Sequence, residues 1–236
     1  MTETPVLSLP LLAAAQAQKH VTVNEALSRI DGLAQLRLVS VSVTAPPAGA
    51  PEGDVYGVPP GAVNDWAGQD GSLALSLNGG WDFITPRRGW RAMVMDQGVP
   101  AIWDGVDWRI GAITLSASGA GLLMKSLEID VPIAAGASVT APVLFPPRSI
   151  VFGVTGRVTT EITGSASSWD LGVSGDTGRF GTGLGTALNS WVNGPAAPIV
   201  YWSATALEIT AVGGSFTGGD VRLVAHFAEL ALPDPV

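Results

Sequence analysis

Val221, Leu223, Ala225 and Phe227 alternate with Arg222, Val224, His226 and Ala228, a period of two that predicts a strand with one apolar and one partly polar face. Alternating or β-branched stretches also cover 127–133, 149–162, 169–173, 191–192, 199–202 and 207–212, and the strand at 221–232 completes the series. Turn clusters separate them at the spacing expected of a sandwich or jelly roll. The half-apolar second face of the last strand predicts cover on both sides, from its own second sheet and from a neighbouring subunit.

Helical spacing is convincing only once. Thr22 to Glu25 reads as a capping box that starts a helix, in which Val23, Leu27, Ile30 and Ala34 recur on one face beside Leu33, with Asn24, Ser28, Arg29, Asp31 and Gln35 opposite. The alternation over 36–43 then predicts a strand running into Pro46 and Pro47. From 54 to 109 short β-like pieces are punctuated by Asp70-Gly71, Asn78-Gly79 and Asp104-Gly105, pairs that favour tight hairpins because they tolerate positive φ. Trp66, Trp81, Trp90, Trp103 and Trp108 fall in this region and are expected to form the core of a small β-meander. The segments 66–71 and 103–108 share Trp, Asp and Gly and read as a degenerate repeat of one hairpin unit.

Residues 111–121 are rich in Gly, Ala, Ser and Thr and read as a connector. The expected organisation is an extended segment at 1–21, a helix plus a small Trp-rich β domain at 22–110, a linker at 111–125 and a β-sandwich at 126–236. The fold class is therefore mostly β: an N-terminal extended arm with one helix, a small meander, and a C-terminal antiparallel, jelly-roll-like sandwich.

Composition narrows the classes further. With 30 Gly and 17 Pro among 236 residues, and 14% charged against 47% hydrophobic, the chain fits neither a disordered tail nor a helical bundle. A net charge of −8 argues against nucleic acid as a partner. Having no cysteine removes disulfides, Cys-ligated zinc, iron–sulfur centres and thiol nucleophiles. So few charges on an apolar chain predict an obligate oligomer whose subunits cover one another. The uncharged stretch 180–207 holds Gly181, Gly183, Gly185, Pro195 and Pro198, which would break any helix in lipid, so no membrane insertion is expected. The apolar run Val6 to Ala17 resembles a signal peptide, but Glu3 and the lack of a basic residue precede it and Pro10 interrupts it. The expectation is synthesis in the cytoplasm without a signal peptide.

Catalytic constellations are sparse. His20 and His226 are the only histidines, and no Ser sits in a Gly-x-Ser-x-Gly elbow. Gly181-Thr-Gly183-Leu-Gly185 lacks dinucleotide-loop spacing and reads as a flexible sandwich loop. Asp104 with Asp107, and Asp170 with Asp176, are close enough in sequence to consider as glycosidase pairs, but such residues more often close Asx-turns. No stretch has EF-hand spacing, and no catalytic residue, metal or cofactor is expected. What remains is a binding surface. Trp169, Asp170, Arg179, Asn189, Trp191 and Asn193 place flat aromatic faces beside hydrogen-bonding groups, a combination that serves sugars and also subunit interfaces or core packing.

The string Ala17-Gln-Lys-His-Val-Thr-Val-Asn-Glu-Ala26 lies within the run Leu9 to Leu27, and is followed by Asp31 to Leu36, Pro46-Pro47 to Asp54, Trp66 to Gly71 and Gly80-Trp81 to Trp90. Over roughly Leu9 to Arg109 these segments resemble a family of uncharacterised proteins from alphaproteobacterial prophages and gene transfer agents, phage-like particles that carry host DNA between cells. In such loci the proteins look like fibre or head-spike components. Val154 to Val158, Trp169 to Val173 and Gly178 to Gly181 resemble the distal β-domain that accompanies the family.

The resemblance implies a virion structural role, a homotrimer, and contacts with other capsid or tail proteins. It also implies particle attachment through the N-terminal segment, with Leu9, Pro10, Gln16, Gln18, Lys19 and His20 as candidate residues. The C-terminal sandwich then becomes a receptor-binding domain for cell-surface polysaccharide. The expected protein is not an enzyme. A polysaccharide-degrading spike enzyme and a ligand-free decoration protein are the alternatives.

Overall fold

The computed structural model describes residues 3–12 and 19–235. Its chain divides into two compact units, one of residues 1–121 with 232–236 and one of residues 122–231.

The first unit contains the helix α1 (Lys19–Ala34) and a seven-stranded sheet. The strands are β1 (Arg37–Leu38), β2 (Val55–Gly57), β3 (Leu73–Leu77), β4 (Gly80–Ile84), β5 (Arg91–Val94), β6 (Val99–Trp103) and β7 (Trp108–Ile110). Their order is β4-β3-β2-β1-β5-β6-β7. β1 is parallel to both neighbours, so two antiparallel meanders flank one short central strand. The strand expected over 36–43 is thus only two residues long. Asn78 (φ 54) and Gly79 (φ 73) form the two-residue hairpin between β3 and β4, as their turn chemistry predicts. Trp66 is fully buried and packs edge-on to Trp81 at 5.1 Å and against Tyr56 at 5.4 Å. Of the five tryptophans expected in the core, Trp66 and Trp103 are buried, whereas Trp81, Trp90 and Trp108 are partly exposed, and Trp103 packs against Trp108, apart from Trp66 and Trp81.

The helix departs from its sequence pattern. It begins at Lys19, so Thr22 to Glu25 lies inside it and cannot cap it. The stripe expected to face the core is largely on the outside, with Val23 and Ile30 exposed, while Asp31 and Gly32 are buried. Two local demands turn the helix this way. Gly32 lets the helix approach the sheet, since a Cβ there would lie 3.0 Å from Leu75 and 3.5 Å from Val55. Asp31, 2% exposed, holds the N-terminal residues. Its carboxylate accepts from Thr4 Oγ1 at 2.7 Å, Val6 N at 2.8 Å and Leu7 N. Residues 3–10 double back in a turn closed by Thr4 N to Leu9 O at 2.9 Å and Leu9 N to Thr4 Oγ1 at 3.0 Å.

The second unit holds β8 (Gly121–Pro132), β9 (Ser138–Phe145), β10 (Ser149–Gly164), β11 (Ser168–Val173), β12 (Asp176–Leu184), β13 (Trp191–Tyr201), β14 (Thr205–Val212) and β15 (Phe216–Ala231). They form two four-stranded sheets, β13-β10-β15-β8 and β12-β11-β14-β9. Numbered one to eight along the chain, the sheets run 6-3-8-1 and 5-4-7-2, the interleaved Greek-key order of a jelly roll. The core draws Val154, Val192, Val221 and Leu223 from one sheet and Trp169, Leu171, Leu207 and Ile209 from the other. Residues 121–125, compositionally part of a connector, form the start of β8.

β9 and β12 lie outside the strands predicted from the sequence: β9 has the β-branched residues Val139, Thr140 and Val143 but is interrupted by Pro142, and β12 is rich in glycine. The Gly181 to Gly185 segment expected as a loop is largely strand, ending β12, where Phe180 is the core side chain. Gly194 on β13 is required by close approach, because a Cβ there would stand 1.9 Å from Phe180 O.

Candidate functional site

The six residues singled out for sugar binding do not converge. Trp169, 1% exposed, is a core residue whose Nε1 donates to Gly185 O at 2.8 Å, so it has no face to offer a ligand. Asp170 accepts from Gly183 N at 2.7 Å and closes the β11–β12 edge. Arg179 pairs with Asp176 at 3.0 Å. Burial pushes the neighbouring Tyr201 phenol up, an effect that the Arg179 guanidinium opposes. Asn189, Trp191 and Asn193 do lie together, at the start of β13 and in the turn before it.

β13 is an edge strand, and its register on β10 pairs Trp191 with Arg157 and Asn193 with Thr155. β15 continues the rows, with Arg222 opposite Arg157 and Val224 opposite Thr155. Val192, Gly194, Val158 and Leu223 point inward and are buried, so the intervening residues form the outer face of the sheet. Thr155, Arg157, Trp191, Asn193, Arg222 and Val224 line a shallow depression of about 370 Å³ there. Trp191 is 64% exposed. Thr155 Oγ1 and His226 Nε2 are 2.8 Å apart beside the rows.

The two arginines differ in their electrostatics. Arg222 makes a bidentate pair with Asp130 at 2.7 and 2.8 Å and reaches Glu128 at 3.5 Å. Its hydrogen bond to Asp130 and the nearby negative charge hold its pKa well above the ordinary guanidinium value. Arg157 is exposed, donates Nη1 to Asn189 O at 3.1 Å, and has no ion pair among the described residues. Asn189, at φ 67, turns the backbone so that its carbonyl meets that guanidinium.

Sequence reasoning missed Arg157, Thr155 and Arg222. The alternation within Val154 to Val158 put Thr155 and Arg157 on one face, but only the β10–β13 register shows that Trp191 and Asn193 share it.

The first unit holds a cleft of about 480 Å³ with Pro59, Pro60, Trp103, Trp108, Asp70 and Asp107 on its walls. Trp103 is buried within it. Asp104 and Asp107 form no acid–base pair: Asp104 is 4% exposed, accepts from Val106 N and Asp107 N at 2.8 Å each, and pairs with Arg109. Burial alone would raise the Asp104 carboxyl, but the backbone N–H groups of Asp107 and Val106 and the Arg109 guanidinium outweigh it and hold its pKa below the usual carboxylate value. A folded-state pKa below the unfolded one stabilises the protein above the unfolded value, with the contribution lost as pH falls through the folded one. Asp104→Asn should therefore destabilise the first unit near pH 6, and the gap from the parent should narrow below about pH 4. Urea unfolding at both pH values checks this, and a gap independent of pH would contradict it.

Of the candidate attachment residues, Leu9 and Pro10 lie in the turn held by Asp31. Gln16 and Gln18 fall outside the described residues, as do the side chains of Lys19 and His20. Among the described residues no helix is long and apolar enough to cross a membrane, and no group of His, Asp and Glu could hold a metal ion.

No curated protein matches the chain in sequence. A solved chain titled "Cyanophage Pam1 capsid asymmetric unit" is similar at 18% identity and a TM-score of 0.31, over 46% of this chain and 84% of that one. Residues 23–109, which span most of α1 and the seven-stranded sheet, match the family described as "Protein of unknown function (DUF2793)".

Proposed function

We propose that this chain is a structural component of a phage-like particle, a homotrimeric spike or fibre of a gene transfer agent or related phage. The N-terminal unit attaches to other capsid or tail proteins, and the jelly roll binds recipient-cell polysaccharide without catalysis. The observation that carries the reading is the exposed Trp191 on an edge strand, with Asn193, Thr155 and Arg157 in the same rows. A ring face beside groups that donate and accept hydrogen bonds suits a pyranose, whose C–H face and hydroxyls ask for both. The resemblance of the N-terminal segments to particle proteins supports the location. Exposed Val23 and Ile30 on α1, and Val143, Trp202 and Leu230 on the jelly roll, supply apolar surface for subunit contacts.

Shallow sites bind weakly, about millimolar each, and three copies on a particle multiply them by avidity. Purified protein is expected to sediment as a trimer of the 24.1 kDa chain and to be retained on encapsulated cells but not on a capsule-free strain. Trp191→Ala should abolish retention while leaving the trimer folded. Equal retention on both strains would refute capsule binding, and reducing ends released from capsule would make the protein an enzyme.

A further inference from the structure

We infer that the outer face of the β13-β10-β15-β8 sheet selects acidic polysaccharide, with Arg157 holding the carboxylate of a uronic acid unit whose ring rests on Trp191. This rests on the polysaccharide-binding reading above and adds the charge of the sugar. On this face two guanidiniums are placed directly opposite one another, Arg157 on β10 and Arg222 on β15. Like charges in that relation destabilise a sheet. Asp130 and Glu128 neutralise Arg222, and among the described residues no carboxylate does the same for Arg157, in a protein with 20 acidic and 12 basic residues. Six arginines have no ion pair among the described residues, and Arg157 is the one of them that lines this depression beside the exposed Trp191, where its guanidinium is open to an anion from outside.

The surroundings of Arg157 identify the kind of anion. Its cross-strand neighbour on the other side is Trp191, whose side chain leaves the same face of the sheet about 5 Å away at the Cβ atoms. The next row offers the Asn193 amide and the Thr155 hydroxyl, which donate to and accept from sugar hydroxyls. A guanidinium meets a planar carboxylate through two parallel N–H bonds, and the hydrogen bond from Nη1 to Asn189 O orients that fork. The depression is open and shallow, which suits a residue within a polymer rather than an isolated small molecule.

The test uses the full chain with tetramers of galacturonate, glucuronate and mannuronate, each compared with its carboxyl-reduced neutral counterpart by isothermal titration calorimetry. At least one uronate is expected to bind ten times more tightly or better than its reduced form. Arg157→Gln should erase that preference, Trp191→Ala should abolish binding to both forms, and Arg91→Gln, exposed on the first unit and outside the depression, should change affinity less than threefold. Each variant is exposed and should keep the parent melting curve. If acidic and reduced tetramers bind equally and Trp191→Ala abolishes both, the acidic selection is refuted and the polysaccharide reading stands. Binding unaffected by both Arg157→Gln and Trp191→Ala, or no binding of any uronate, also overturns the inference. Retention on encapsulated cells then decides the polysaccharide reading separately.

Discussion

Trp169→Ala is expected to cost about 3–5 kcal/mol of jelly-roll stability, the range for truncating a large buried aromatic. Trp169 is 1% exposed between the two sheets and is among the largest fully buried side chains. The truncation would leave a cavity and remove the donor that satisfies Gly185 O at 2.8 Å. Trp191→Ala should fall within about 0.5 kcal/mol of the parent, because its ring is mostly in water already. Urea unfolding of both variants separates the roles of two tryptophans that the chain presents in similar settings. A Trp169→Ala protein as stable as the parent would mean that the sandwich core is not packed as described.

The second large effect belongs to Asp31→Ala. The carboxylate takes hydrogen bonds from Thr4 Oγ1, Val6 N and Leu7 N while itself 2% exposed. Removing it orphans three donors at once, and each buried unsatisfied group costs about 1–3 kcal/mol. The segment can escape most of that cost by opening into water, so the loss is read locally. Amide exchange over residues 4–9 should accelerate by about a hundredfold or more, equivalent to roughly 3 kcal/mol, while β2 and β3 keep their protection. If the N-terminal segment attaches the protein to a particle, the variant should also assemble poorly with its partner. Unchanged exchange over 4–9 would show that Asp31 does not hold the turn.

Much of the jelly roll was legible because its inner faces obey a period of two. Val221, Leu223, Ala225 and Phe227 are buried as the alternation predicts. The same rule separates the two tryptophans: Trp169 alternates with Leu171 and Val173, all buried, whereas Trp191 alternates with Asn193 and the buried positions are Val192 and Gly194. Grouping them by aromatic and polar neighbours alone set this aside. β12 was not legible, since Gly178, Gly181 and Gly183 leave Phe180 as its only buried apolar anchor. The helix face was misread for a different reason. Its packing depends on a missing side chain at Gly32 and a buried charge at Asp31, neither of which registers as hydrophobic periodicity. Arg157 escaped notice because its importance comes from cross-strand partners 34 and 65 positions away, Trp191 and Arg222, which only register reveals.

The chain returns to its first unit after the jelly roll: Asp234 N donates to Ser118 O at 2.7 Å, and Arg109 Nη2 donates to Asp234 Oδ1 at 2.9 Å across 125 positions of sequence. At about 5–20 residues per second, a ribosome would make Asp234 roughly 6–25 s after Arg109. The whole jelly roll is translated in that interval. The earlier-made unit therefore waits with Arg109 lacking its second carboxylate until the last strand of the jelly roll, β15, has been synthesised, so both units are completed by the same final stretch of chain.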